Sequence, residues 1–220
     1  MVKSKEWNWI EVTDNIWNEP SEDVYYYVNR WRKLGFKKFL DLGCGLGRHS
    51  ILFAENGFDT YSLDLSQVGL DALFSKVQQL GLSIKTTLGD INKLPYYDEM
   101  FDCLLAYHVI SHTDTQGIKI ILSEINRVLK SGGEFFITLC SKNSPSYIKK
   151  DYPRLDENTI IKTEEPEVGV PHFYSDLEGV KSILGEFEII RVRHIEDIYE
   201  DTSGWHYFVH GKKSRPLREV

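Results

Sequence analysis

Residues 38 to 48 read Lys-Phe-Leu-Asp-Leu-Gly-Cys-Gly-Leu-Gly-Arg, a short apolar run followed by three glycines at alternate positions. A buried strand ended by such a turn, with a helix opening directly after it, constrains this chain more than any other feature. Glycines let the backbone approach a ligand, and the helix start offers unpaired N–H groups and the positive end of its dipole. The turn therefore points to an α/β chain that holds a nucleotide-like ligand at its strand ends.

The pattern around it agrees. Short apolar runs at 38–42, 60–64, 84–88, 101–106 and 134–139 alternate with helix-like stretches at 46–56, 66–80 and 115–129. That alternation is the signature of βαβ units and a parallel sheet. An upstream helix is predicted over 21–34, with Val24, Tyr27, Val28 and Trp31 on one face. Residues 140–171 are polar and carry Pro145, Pro153, Pro166 and Pro171 without clean periodicity, which reads as a long irregular loop of functional character. A helix over 176–184 and two strands over 187–194 and 205–210, turning near Ser203-Gly204, close the chain as an antiparallel hairpin. The expectation is a three-layer αβα doubly wound sheet of seven strands, mostly parallel with a C-terminal antiparallel strand.

Two ligand classes compete for the glycine turn. A dinucleotide fingerprint needs G-x-G-x-x-G or A. Gly43 and Gly45 satisfy its first two positions, but Arg48 falls on the third, where close helix–strand packing excludes a large side chain. The observed spacing is D-x-G-x-G-x-G, with Asp41 near the strand end. An acid facing the ligand repels pyrophosphate and suits a cationic amino-acid moiety, as in a sulfonium cofactor with an α-ammonium group. Asp64, ending the second strand, suits the hydroxyls of a ribose. Asp90, in Gly89-Asp90-Ile91 after the third strand, suits an adenine amino group, with Ile91 against the ring.

Taken together, FLDLGCGLGRHS, YSLDLS, TLGDINKLPYYDEMFDCLLAYHVISH and EINRVLKSGGEFFITL resemble the successive motifs of class I S-adenosylmethionine-dependent methyltransferases, closest to the small type 11 group. The resemblance covers roughly residues 36–140 and extends more weakly to 211. It implies S-adenosyl-L-methionine as cofactor. It implies that Asp41, Gly43, Cys44 and Gly45 line its methionine part, with Arg48 closing over the carboxylate end. It assigns Asp64 and Leu65 to the ribose, Asp90 and Ile91 to the adenine, and Ala106 to His108, including Tyr107, to the region near the sulfur. One domain over 1–220 is expected: an arm and helix (1–35), a cofactor-binding core (36–140), an irregular substrate or cap segment (141–172), and a final helix and hairpin (173–211).

The N/D-P-P-Y/F motif of enzymes that methylate nitrogen on DNA or protein glutamine is absent; the position reads Ala106-Tyr107-His108-Val109. A small-molecule acceptor is expected, with a tRNA or protein acceptor, or a non-catalytic subunit, as alternatives. Methyl transfer from a sulfonium needs positioning and exclusion of water, and a general base helps if the acceptor is a hydroxyl or amine. His108 and His112 are base or substrate candidates and equally pocket packing. Their i,i+4 spacing also suits a metal, but no third ligand is apparent, so no metal is expected. His172 is a further candidate; Trp205-His206-Tyr207 reads as core. Trp7, Trp9 and Trp17 in the first twenty residues are either packing or a flap over a ligand.

Composition narrows the partners. The net charge of −7 and scattered basic residues disfavour nucleic acid, whose binders present a basic face. Cys44, Cys103 and Cys140 show no disulfide or zinc spacing. No signal peptide or apolar span of about 18 residues appears, so the expectation is a cytoplasmic monomer or homodimer without a membrane partner.

Overall fold

The computed structural model describes residues 2–7, 9, 15–149, 151–165, 167–198 and 203–215. A 3-10 turn over Asn15–Asn18 leads into α1 (Glu22–Lys33). Five strands then alternate with three helices: β1 (Lys38–Leu42), α2 (Arg48–Glu55), β2 (Asp59–Asp64), α3 (Gln67–Leu80), β3 (Ile84–Leu88), β4 (Phe101–Ala106), α4 (Thr115–Val128) and β5 (Leu129–Ser141). After them come α5 (Pro145–Ile148), β6 (Arg154–Asp156), β7 (Thr159–Ile161), β8 (Pro171–Ser175), α6 (Leu177–Ile183), β9 (Phe187–Ile198) and β10 (Ser203–Lys213).

The main sheet runs β3-β2-β1-β4-β5-β10-β9, with β10 antiparallel to both neighbours. Strand alternation sorts the side chains into two layers of core. Phe39, Cys103, Leu105 and Phe136 face Trp31 of α1 and Phe53 of α2. Leu40, Leu104, Phe135 and Ile137 face Ile118, Ile121 and Ile125 of α4 and Val180 of α6. Asp114 caps α4 by accepting from Gln116 N and Gly117 N at 3.1 and 2.7 Å. The doubly wound, mostly parallel sheet matches the expectation from sequence, and the seven strands are all present.

The segment expected to be irregular is not so throughout. Strand β5 outruns β4, and β8 pairs parallel with the free edge at Cys140↔Tyr174 and Ser141↔Ser175. Strands β7 and β6 add on antiparallel, bringing the total to ten strands among the described residues. The predicted strand over 134–139 also begins earlier, since Leu129 already pairs with Phe101. Pro166 of that segment and residues 199–202 of the β9–β10 connection lie outside the described residues. Among the described residues no helix is long and apolar enough to cross a membrane.

One ionic cluster clamps α1 onto the sheet. Glu134 of β5 accepts from Arg30 Nε and Nη2 at 2.8 and 2.7 Å and from Trp31 Nε1 at 2.9 Å, with His210 Nε2 at 2.9 Å. Burial alone would raise its carboxyl; the hydrogen bonds from Arg30, His210 and Trp31 outweigh that and hold it at about 2. Because the folded value lies below the unfolded one, this contribution is present above pH ~4.5 and is lost as pH falls toward ~2. Removing one partner strands the others in the interior, so Glu134→Ala should lower stability in urea unfolding at pH 7 by about 3 kcal/mol. A loss below about 0.5 kcal/mol, within the usual surface range, would show that the cluster does not clamp α1.

Candidate active site

The glycine turn is fixed from below by β2. Gly43 N and Cys44 N donate to Leu63 O at 2.7 and 3.1 Å, and Gly45 N donates to Asp64 Oδ2 at 2.7 Å. The second Asp64 oxygen accepts from Ser66 N at 2.8 Å, at the start of α3. Gly43 and Gly45 sit at φ +70° and +53°, a left-handed backbone that glycine adopts without strain. A Cβ at Gly45 would also come within 2.3 Å of the Trp9 ring.

A cavity of about 460 Å³ opens along this turn, within the usual range of small-molecule sites. Gly43, Cys44, Gly45, Asp64, Leu65, Asp90 and Ile91 line one end of it. Asp90 Oδ1 accepts from Asn92 N at 2.9 Å, and Asn92 also lines this end. Tyr107, His108 and Thr138 line the middle, and His112, Lys162, Glu167, His172 and Tyr174 the far end.

The roof is the N-terminal arm. Residues 4–7, Trp9 and Trp17 line the cavity, and the three tryptophan rings pack together with centroids 5.9 to 6.3 Å apart. Val2 N donates to Asp114 Oδ2 at 2.6 Å, and Asn92 Nδ2 donates to Ser4 Oγ at 2.7 Å. The Lys5 ammonium donates to Val168 O. The described arm residues thus pack with one another and also line the cavity. Met1, Asn8 and residues 10–14 of the arm lie outside the described residues.

Two sequence expectations, Asp41 and Ala106 as cavity residues, are corrected. Asp41 is 2% exposed and does not line the cavity; it shares the α2 face of β1 with Phe39, where Ser62 Oγ donates to Ser50 Oγ and Ser50 Oγ donates to Asp41 at 2.6 Å. Ala106 is in the core, where it still pairs with Ile137 of β5. Arg48 lines the cavity but spends its guanidinium on the arm, donating to Ile16 O and Glu19 O at 2.6 and 3.1 Å beneath Trp17. His108 and His112 both line the cavity, on an irregular turn and not on a helix. The His108 ring lies 4.4 Å from that of His206, and the His112 ring 4.7 Å from that of His172, with Trp7 stacked at 5.5 Å.

His108 takes φ +54°, a conformation costing a residue with a Cβ roughly 1–2 kcal/mol, and its N–H donates to Thr138 Oγ1 at 2.6 Å. Burial pushes His108 well below its ordinary pKa and His112 down to about 3, so both are neutral imidazoles. Sequence reasoning missed Glu167, Lys162 and His206. His206 had been read as core, yet alternation along β10 turns it to the cavity, opposite the buried Tyr207. Glu167 meets His172 Nε2 at 2.8 Å and Lys162 Nζ at 3.0 Å, and nothing in the spacing announces that meeting.

Comparison with known proteins follows the same core. Residues 40–137 match the family described as "Methyltransferase domain". The chain is 27% identical over 143 residues to malonyl-[acyl-carrier protein] O-methyltransferase of Hamiltonella defensa, covering 63% of this chain and 53% of that protein. It is 29% identical over 146 residues to sarcosine/dimethylglycine N-methyltransferase of Aphanothece halophytica, covering 60% and 51%. An S-adenosylmethionine-dependent methyltransferase structure from Methanosarcina mazei shares the fold, with a TM-score of 0.75 at 18% identity over 90% of this chain and all of that one. The core over residues 40–137 thus matches a methyltransferase domain, and the chain has the fold of that Methanosarcina mazei structure. It spans about half the length of these two curated relatives.

The cavity fits S-adenosylmethionine in its polar groups. Asp64 and Asp90 offer carboxylate oxygens, and Asn92 Oδ1 is a buried acceptor with no partner among the described residues. Trp7 Nε1 and Trp9 Nε1 are buried donors likewise without a partner. S-adenosylmethionine carries an amino-substituted purine, ribose hydroxyls, an ammonium and a carboxylate, which match those acceptors and donors.

The buried acids also make stability depend on pH. Burial pushes Asp41 up to about 7. With its folded value above the unfolded one, the native chain holds a proton that the unfolded chain releases, so stability falls as pH rises from ~4 to ~7. Asp41→Asn should therefore be more stable than the parent at pH 8, by up to about 4 kcal/mol, and equal to it near pH 4. Urea unfolding at both pH values checks this, and a difference independent of pH would contradict it.

Proposed function

We propose that this chain is a methyltransferase that moves the methyl group of S-adenosylmethionine to a small molecule enclosed with it, by in-line displacement. The observation that carries the reading is the continuity of the cavity. One roofed space runs from the glycine turn, Asp64 and Asp90 to His112, His172 and Tyr174. A donor along the first end leaves the far end for an acceptor, and the tryptophan roof excludes water from both.

In this reading Gly43, Cys44 and Gly45 bear on the methionine part, and Asp64 and Leu65 on the ribose. Asp90 and Ile91 hold the adenine, and Tyr107 lies near the sulfur. Bound S-adenosylmethionine supplies an activated methyl group whose loss leaves a neutral thioether. His108 is the residue best placed to take a proton from the acceptor: it is neutral, it lies midway along the cavity, and strained backbone fixes it there. Arg48 acts by holding the arm shut. The relative named for N-methyl transfer to sarcosine or dimethylglycine supports a small acceptor.

Calorimetric titration should show S-adenosylhomocysteine binding in the micromolar range, weakened at least tenfold, or about 1.4 kcal/mol, in Asp64→Ala. Incubation with labelled S-adenosylmethionine and metabolite pools should label a small molecule. Binding of NADH in place of S-adenosylhomocysteine would refute the donor, and label confined to tRNA or protein would refute the acceptor class. For the roof, deleting residues 2–9 should raise the S-adenosylhomocysteine dissociation rate roughly tenfold. An unchanged rate would make those tryptophans packing alone.

A further inference from the structure

The far end of the cavity holds a cluster that the glycine-turn chemistry does not use. The ligating atoms of His112, Glu167 and His172 all lie within 4.8 Å of one another, and all three residues face the cavity. They come from three separate places: the turn after β4, the loop before β8, and β8 itself.

The hydrogen bonds around His172 say what this cluster lacks. Its Nδ1 lies 3.1 Å from Val170 O, and a carbonyl oxygen only accepts, so the hydrogen is on Nδ1. In the neutral ring Nε2 is then a bare lone pair, and it points at Glu167 Oε1 from 2.8 Å. Two acceptors at that distance repel unless a positive centre, a proton or a metal ion, sits between them. A proton would satisfy His172 and Glu167 alone. His112 adds a third donor atom to the same small volume, and a metal ion uses all three.

The surroundings match a metal site in two further respects. An imidazole that ligates a metal commonly gives its other N–H to a backbone carbonyl, which fixes ring and tautomer; Val170 O does this for His172. The carboxylate is likewise held from behind, with Lys162 Nζ 3.0 Å from Oε2 while Oε1 faces His172. Nitrogen and oxygen ligands about 2.0–2.2 Å from a tetrahedral ion lie roughly 3.4 Å apart, so an ion seats here with the Nε2···Oε1 pair opening by about half an ångström.

We propose that His112, Glu167 and His172 form a binding site for a divalent transition-metal ion of the zinc class. Two imidazoles and one carboxylate suit zinc and its first-row neighbours and disfavour magnesium or calcium. Three protein ligands leave a coordination position open toward the cavity. That position takes an oxygen or nitrogen donor of the methyl acceptor, a role that rests on the reading above, whereas ion binding itself does not.

The test uses full-length, tag-free protein freed of metal by chelation. Zn²⁺ titrated alone should bind at one equivalent by calorimetry, and Co²⁺ alone should develop the visible bands of a low-coordinate site. Glu167→Gln and His172→Asn should each weaken both by tenfold or more while keeping the parent S-adenosylhomocysteine affinity, which shows that they are folded. His194→Gln, a histidine outside the cluster, should leave metal binding unchanged. The proposal fails if neither ion binds. It fails equally if Glu167→Gln binds as the parent does, or if nitrogen-15 NMR shows His172 doubly protonated and unmoved by Zn²⁺. Zinc binding without S-adenosylhomocysteine binding would uphold this site and refute the donor reading.

Discussion

The carboxylate of Asp64 accepts two backbone N–H groups, one from the glycine turn and one from the start of α3. Hydrogen bonds to an ionised oxygen are the strong ones, and here they join the ends of β1 and β2 to the two helices that follow. Without that tie the turn is left with the Leu63 carbonyl, which holds Gly43 and Cys44, and with the Gly47 N–H bond to Cys44 O. Burial pushes Asp64 upward, as it does the neighbouring Asp41. Arg48, the nearest guanidinium, is committed to the carbonyls of the arm. The end of the cavity at the turn thus holds buried acid and favours a cationic ligand, which is the electrostatic character of a sulfonium with an ammonium group.

The remainder of the cavity depends on one strand outrunning its neighbour. Where β4 stops, β5 continues, and β8 takes the free edge. Phe173 N donates to Ser111 O at 2.8 Å, and Ser111 Oγ accepts from Cys140 N at 3.0 Å. Those bonds bring the turn carrying His108 and His112 against the strand carrying His172. The arm then crosses above, pinned at Asp114, Asn92 and Arg48. The end of the cavity at the glycine turn is built largely from the matched residues 40–137, while the far end, His112 excepted, comes from segments outside them.

That division explains what the sequence could reveal. Strands β1, β3 and β4 fall on the residues read from apolar runs, because their burial is a local pattern. The glycine turn and Asp64 stand out in the sequence because glycines and a strand-end acid at that spacing form a local pattern. Strands β6 and β7 are three residues each, too short to show a period, and β8 opens on Pro171, a residue that argues against a strand. Glu167 is one acid in a polar loop, and only tertiary structure sets it against His172 and His112. Asp41 misled in the opposite way: its motif position pointed to the ligand, but strand alternation turned it toward Ser50.

The central claim is that the space between the glycine turn and the tryptophan roof holds the methyl donor. A crystal structure of the full chain grown with S-adenosylhomocysteine tests it most directly. The account predicts density for the ribose at Asp64, the adenine beside Asp90 and Asn92, and the methionine tail against Gly43 to Gly45, under the arm. Density elsewhere, or a cavity closed on itself while the ligand sits on the surface, would contradict it.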